Sequence, residues 1–179
     1  MYRRSYYTRR SGKYSNETVC FNATVTSNVN AGTALTTNPI PIVPATTVLG
    51  NRKVKNFTIK VTSNLNDAPI IGVLSYIPEG TLMNTPLVTG PNQSLYEPNQ
   101  NVIATFVIPP NCTRNADGSL GSFGAPTQIV VSNRLARNLA SGDSLQLALV
   151  CPTLLTAGDG TGDTPECNIV GTVNYSIKY

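Results

Sequence analysis

Residues 169–178 read Ile-Val-Gly-Thr-Val-Asn-Tyr-Ser-Ile-Lys, and their alternation decides the fold class. Ile169, Gly171, Val173, Tyr175 and Ile177 share one phase of a period-two pattern, as in a β-strand with one buried face. The same logic runs back through the chain. After a Gly142-Asp143 turn, Leu145, Leu147, Leu149 and Cys151 alternate cleanly, and Val19, Phe21, Ala23 and Val25 alternate with Cys20, Asn22, Thr24 and Thr26. A strand beginning near residue 52 places Lys53, Lys55, Phe57, Ile59 and Val61 on one face. Ile70–Ile77 and Val102–Ile108 are apolar almost throughout, as strands of a sandwich core are, and Thr127–Ser132 is a shorter strand.

Turn residues separate these runs. Asn66-Asp67-Ala68-Pro69 is a turn, and 78–100, 111–126 and 152–166 are loops, with Asp117-Gly118 the strongest turn signal in the second. Asn38-Pro-Ile-Pro-Ile-Val-Pro44 is too proline-dense for the interior of a ladder and reads as a connection. Asn133–Ala140, with Leu135 and Leu139 four apart, is the one expected helical turn. Seven clear strands without an internal repeat give one all-β antiparallel sandwich spanning 16–179. Connections too long for simple hairpins favour a jelly roll or another Greek key. An eighth strand is expected within 31–50 or 80–95.

Charge is sparse and uneven. Charged residues make up 12% of the chain, about half the usual share. Of thirteen cations, Arg3, Arg4, Arg9, Arg10 and Lys13 fall in the first thirteen residues, which hold no acid. The other 166 residues carry eight cations against nine acids, a net charge of about −1. Residues 1–15 therefore read as a disordered basic arm on a neutral body. Tyr2, Tyr6, Tyr7 and Tyr14 interleave with its cations. Arginines neutralise phosphates while aromatic rings stack on unpaired bases, so the mixture suits single-stranded nucleic acid. A solvated tail is the plainer alternative. Arg52, Lys53 and Lys55 form a second basic cluster, readable as a phosphate contact or as edge lysines that block aggregation.

Several function classes drop out. The chain has no His, which removes triad hydrolysis, imidazole acid–base chemistry and His-ligated metals. No apolar run approaches the roughly 18 residues that span a bilayer, and the arm has no apolar segment behind its cations to make a secretory signal. Cys20, Cys112, Cys151 and Cys167 lack metal spacing; buried thiols are the leading expectation, ahead of a disulfide or a four-thiol metal site. Asp159 and Asp163 lie four apart in a glycine loop, which reads as a surface or subunit-contact loop before a Ca²⁺ site. Asp143 reads as a turn residue. Of the six Asn-x-Ser/Thr sites, Asn22, Asn56 and Asn174 fall inside expected strands, a poor place for a glycan. No enzyme activity, cofactor, metal or membrane contact is expected.

Four segments then carry a resemblance. Tyr76-Ile-Pro-Glu-Gly-Thr81, Ser94-Leu-Tyr-Glu-Pro-Asn-Gln-Asn-Val-Ile103, Arg137-Asn-Leu-Ala-Ser-Gly-Asp-Ser-Leu145 and Val170-Gly-Thr-Val-Asn-Tyr-Ser-Ile-Lys178 follow a basic arm in order. Together the chain resembles the capsid proteins of small circular single-stranded DNA viruses, the circovirus-like group. That resemblance implies an eight-stranded jelly roll of the viral capsid type and about sixty copies in a closed icosahedral T=1 shell. It also implies an inward arm holding a single-stranded DNA genome, with the protein found in the virion and, during assembly, the host nucleus. Circovirus arms are usually longer and richer in arginine, so Arg52, Lys53 and Lys55 are expected to share the phosphate contacts. A coat protein of a small RNA or satellite virus is the nearest alternative. A secreted β-sandwich adhesin or carbohydrate-binding module is the alternative from another class.

Overall fold

In a computed structural model, residues 13–26, 35–36, 39–47, 49–64, 66, 68–83, 102–114, 120–151 and 166–179 are described. The sequence alternation becomes a burial alternation. In β12 (Glu166–Lys178), Ile169, Val173, Tyr175 and Ile177 are buried while Asn168 and Val170 face outward. Its partner β1 (Ser15–Thr26) pairs antiparallel along its whole length, from Ser15 opposite Ile177 to Thr26 opposite Glu166. The first and last strands of the body are thus neighbours. On the other side of β12 lies β4 (Arg52–Ser63), and beyond it β9 (Thr127–Asn133) and β10 (Arg137–Leu139) share one edge position.

The second sheet is built around β11 (Ser144–Cys151) and β5 (Ile70–Ile77), with β6 (Val102–Ile108) on one edge. On the opposite edge, β2 (Leu35–Thr36) and β3 (Ile40–Val43) pair with the two ends of β11. Counting β2/β3 and β9/β10 as single positions gives eight, numbered along the chain. The sheets then run 1-8-3-6 and 2-7-4-5, every pair antiparallel. That order is the jelly roll: of the connections between successive positions, only β5–β6 stays within one sheet. A small ribbon of β7 (Cys112–Arg114) and β8 (Leu120–Phe123) stands apart within the segment expected to be loop.

The eighth strand position thus lies within 31–50. Prolines kept β3 from reading as a strand, yet it is an edge strand with Pro41 exposed, where a missing N–H costs no ladder bond. No helix forms at Asn133–Ala140 either. Leu139 is buried in β10 opposite Arg52, while Leu135 is exposed, so the free edge of β4 outcompetes a short helix.

The core lies between the sheets, where Phe57, Ile59, Ile169 and Ile177 meet Ile70, Leu74, Leu145, Leu147, Leu149 and Ile108. Each sheet seats an edge phenylalanine over a glycine on an inner strand. Phe21 of β1 opposes Gly171, and Phe106 of β6 opposes Gly72. A methyl group at either glycine would collide with the facing ring. Asn66 clasps one end of the sandwich, donating to the Ala68 and Pro109 carbonyls at 3.1 and 3.0 Å and accepting from the Ser63 hydroxyl at 2.8 Å.

Candidate functional site

The key local feature is a bulge in β4. Between the pairs Thr58–Asn174 and Lys55–Ser176, Asn56 and Phe57 on β4 face the single residue Tyr175 on β12. Asn56 takes φ 57°, a left-handed value that asparagine tolerates better than most residues. One inserted residue flips the side-chain phase. Unbroken alternation would place Lys53 and Lys55 on the inward face of Phe57 and Ile59. Instead Arg52 and Val54 turn inward, Lys53 is exposed and Lys55 half-buried.

Arg52 is accordingly withdrawn from any surface role. It is 7% exposed, and its guanidinium donates at 2.8 Å to the carbonyls of Pro44 and of Asp143. Those bonds tie the β3–β4 connection to the turn before β11. Asp143 completes the joint. One carboxylate oxygen accepts from the Tyr76 hydroxyl at 2.7 Å and the Ala140 amide at 2.8 Å, the other from the Glu79 amide at 3.1 Å. Burial pushes the Asp143 carboxyl up, but these three bonds and the Arg52 charge together hold it below its ordinary value. The hydrogen bond to Asp143, followed by burial, raises the Tyr76 hydroxyl. With Asp143 enclosed and every carboxylate oxygen engaged, the cluster is a structural joint, as a turn role requires.

Lysines gather on the outward face of the first sheet. Lys53, Lys55 and Lys60 come from β4, and Lys178 ends β12. Lys178 sits directly opposite Lys53. The Lys55 ammonium lies 3.8 Å from the centre of the Tyr14 ring, a cation–π contact that fixes the start of β1 on the lysine side of the sheet. Around the lysines the face is neutral and hydrogen-bonding. Thr18 donates to Asn174 at 2.6 Å, Thr24 to Asn168 at 2.9 Å, and Ser176 to Asn16 at 2.9 Å, zipping β1 to β12.

Among the described side chains no carboxylate stands on this face. Glu17 opposes Tyr175 and shares its inward phase, Asp143 is buried, and Glu79 packs beside Gly142. Lys53 and Lys55, both named from sequence, are therefore brought to one side; Arg52 is not, and exposed Lys13 lies two residues before β1. Arg3, Arg4, Arg9, Arg10, Tyr2, Tyr6 and Tyr7 lie outside the described residues, as do Asp159 and Asp163. Lys60 and Lys178 join the site through strand pairing between distant segments, a signal the linear sequence does not carry, and Tyr14, one of the tyrosines named from sequence, lies against Lys55.

Cys112 and Cys167 are buried, in keeping with expectation, whereas Cys20 is exposed on the outward phase of β1. Among the described residues no group of thiols and carboxylates is arranged to hold a metal ion.

No family model and no curated protein matches the sequence. Among solved structures, the chain is similar to one of infectious bursal disease virus, Gx strain. The TM-score is 0.38 at 11% identity, over 92% of this chain and 33% of that one, so this chain spans about a third of its length.

Proposed function

We propose that this chain is a capsid protein of a small single-stranded DNA virus, which assembles into a closed icosahedral shell and encloses the genome. The observation that carries this reading is the pairing of an eight-position jelly roll with a basic N-terminal segment rooted at β1. Jelly rolls tile shells because their loops gather at the ends of the sandwich, where they can meet neighbouring copies. A charge-poor body suits such contacts, since interface cores are depleted of charge. Arginines and tyrosines in residues 1–13 supply sequence-independent phosphate neutralisation and base stacking, multiplied by the number of copies in a shell. The Arg-Arg pairs also fit a nuclear import signal, in keeping with assembly in the host nucleus.

Light scattering and negative-stain imaging of the expressed protein test the assembly. About sixty copies of 19.0 kDa give particles near 1.1 MDa; a persistent monomer overturns the reading. Nuclease sensitivity of the packaged nucleic acid separates a DNA coat protein from an RNA one. Deleting residues 1–13 is expected to leave the body folded and reduce co-purified nucleic acid. Particles that keep their full load without the arm would remove its packaging role.

A further inference from the structure

We infer that the outward face of the β1–β12–β4–β9 sheet is a second, body-borne binding surface for the phosphate backbone of single-stranded nucleic acid. Four of the chain's five lysines take part: Lys53, Lys55 and Lys60 on β4, and Lys178 at the end of β12. β4 and the end of β12 are far apart in sequence and are brought together only by the jelly-roll pairing of the third strand with the last.

The arrangement is costly without a counter-charge. Lys53 and Lys178 are direct cross-strand partners, a placement that destabilises a sheet when the charges are alike. Glu166 shares the outward phase of β12 but stands at the opposite end of that strand, too far away to relieve it. A bound polyanion does relieve it. The remaining outward groups suit a phosphate–sugar chain lying across the sheet, because threonine, serine and asparagine side chains offer hydrogen bonds without adding negative charge. Lys60 continues the track into a row that runs Cys20, Thr172, Lys60, Val130 across four strands. At the other end, the Lys55 ammonium lies over the Tyr14 ring, next to the start of β1. The choice of single-stranded DNA as the polyanion rests on the capsid reading; the surface itself rests on charge complementarity. In a shell, this sheet would face the genome.

The test uses the full chain and a fluorescein-labelled thirty-nucleotide oligodeoxythymidylate, with binding measured across a salt series. The K53Q/K60Q/K178Q variant is expected to lower the slope of log Kobs against log salt by about 2, at about 0.7 per phosphate contact on single strands. Its thermal midpoint without DNA should equal or exceed that of the parent, which separates lost binding from lost folding. K60Q alone is expected to lower the slope by about 0.7. Bound oligonucleotide should slow the reaction of Cys20 with a thiol reagent in the parent and not in the triple variant. An unchanged slope in a folded variant overturns the proposal. So does loss of assembly with an unchanged slope, which would assign the face to a neighbouring copy. Particle formation by the parent is scored separately, so a protein that binds DNA through these lysines yet stays monomeric refutes the capsid reading and leaves the surface standing.

Discussion

The two sheets of the sandwich turn opposite kinds of surface outward. On the β1–β12–β4–β9 sheet the outward residues are lysine, threonine, serine and asparagine, interrupted by exposed Val130 and Val170. On the β11–β5–β6 sheet, Val73, Ser75, Ile77, Ala148 and Val150 occupy the outward phase and are all at most 5% exposed, with Met83 packed against Ile77 and Ala148. Both sheets share one inner core, so the difference lies wholly in the second face. A strand with one wet face alternates, and a strand buried on both faces reads as a continuous apolar run. The chain uses each pattern where its burial demands it: the centre of one sheet is covered on both sides, opening only toward Thr105 and Val107 on its β6 edge, and the other presents charge.

Exchanging the faces gives the largest expected effect. Val73→Lys places an ammonium where the native side chain is 1% exposed and is expected to cost about 4 kcal/mol, the scale of an uncompensated buried charge. Thr172→Lys, on the outward phase of the other sheet, should stay within about 0.5 kcal/mol. Urea denaturation of both variants measures the contrast; equal costs would mean that the two faces are not different environments.

The glycine–phenylalanine pairs sharpen the comparison at the next scale. A methyl at Gly171 would meet the Lys60 backbone carbonyl at 2.7 Å as well as the Phe21 ring, whereas the three atoms nearest a methyl at Gly72 all belong to the Phe106 ring. Gly171→Ala is therefore expected to cost about 3 kcal/mol and Gly72→Ala about 2, both from overpacking. Chemical denaturation should rank them in that order, since a ring can shift more easily than a ladder carbonyl.

How far this architecture was legible depends on whether the deciding information was local. β1, β11 and β12 were readable because a period-two pattern needs no partner to be seen. The phase of β4 was not, because one extra residue at Asn56 reverses it, and the bulge exists only in register with Tyr175. The same reversal explains why Arg52 looked like a surface cation beside Lys53 and Lys55. Arg137–Leu139 resembled a helical turn until the open edge of β4 gave its backbone a ladder to join. The candidate surface was half visible. Lys53 and Lys55 stood out as a cluster in sequence, but Lys178 becomes their neighbour only once the last strand lies beside the third.

Asp143 tests the joint where the sheets meet, since its carboxylate holds Tyr76 while its carbonyl is held by Arg52 from the opposite sheet. Asp143→Asn is expected to cost about 1–2 kcal/mol at pH 7, through weaker acceptance from Tyr76 and two amides. The sign of its pH dependence follows from the lowered carboxyl. The unfolded chain binds the proton more readily, so the stabilisation is fully present above the unfolded value of about 3.9 and is lost as pH falls through the lower folded value. Parent and variant should therefore converge in stability below about pH 4. A gap that stays constant from pH 7 to pH 3 would show that the Asp143 charge contributes nothing.

The smallest effect expected is a gain. Lys53 and Lys178 face each other across β4 and β12 without a described carboxylate nearby on that face, so removing one charge removes a repulsion. Lys53→Gln should raise stability by about 0.3 kcal/mol in dilute buffer, because both side chains reach water and the pair is screened rather than buried. Adding salt shortens the Debye length to about 3 Å at 1 M, so the gain should vanish there. Lys60→Gln, in a row with Thr172 and Val130 rather than another cation, should show no such gain at any salt concentration. Thermal midpoints of the two variants across a salt series isolate the pair. If Lys53→Gln destabilises the free protein, the lysine contributes packing or hydrogen bonding to the fold itself, and the charge on this face would need a structural explanation in place of a bound anion.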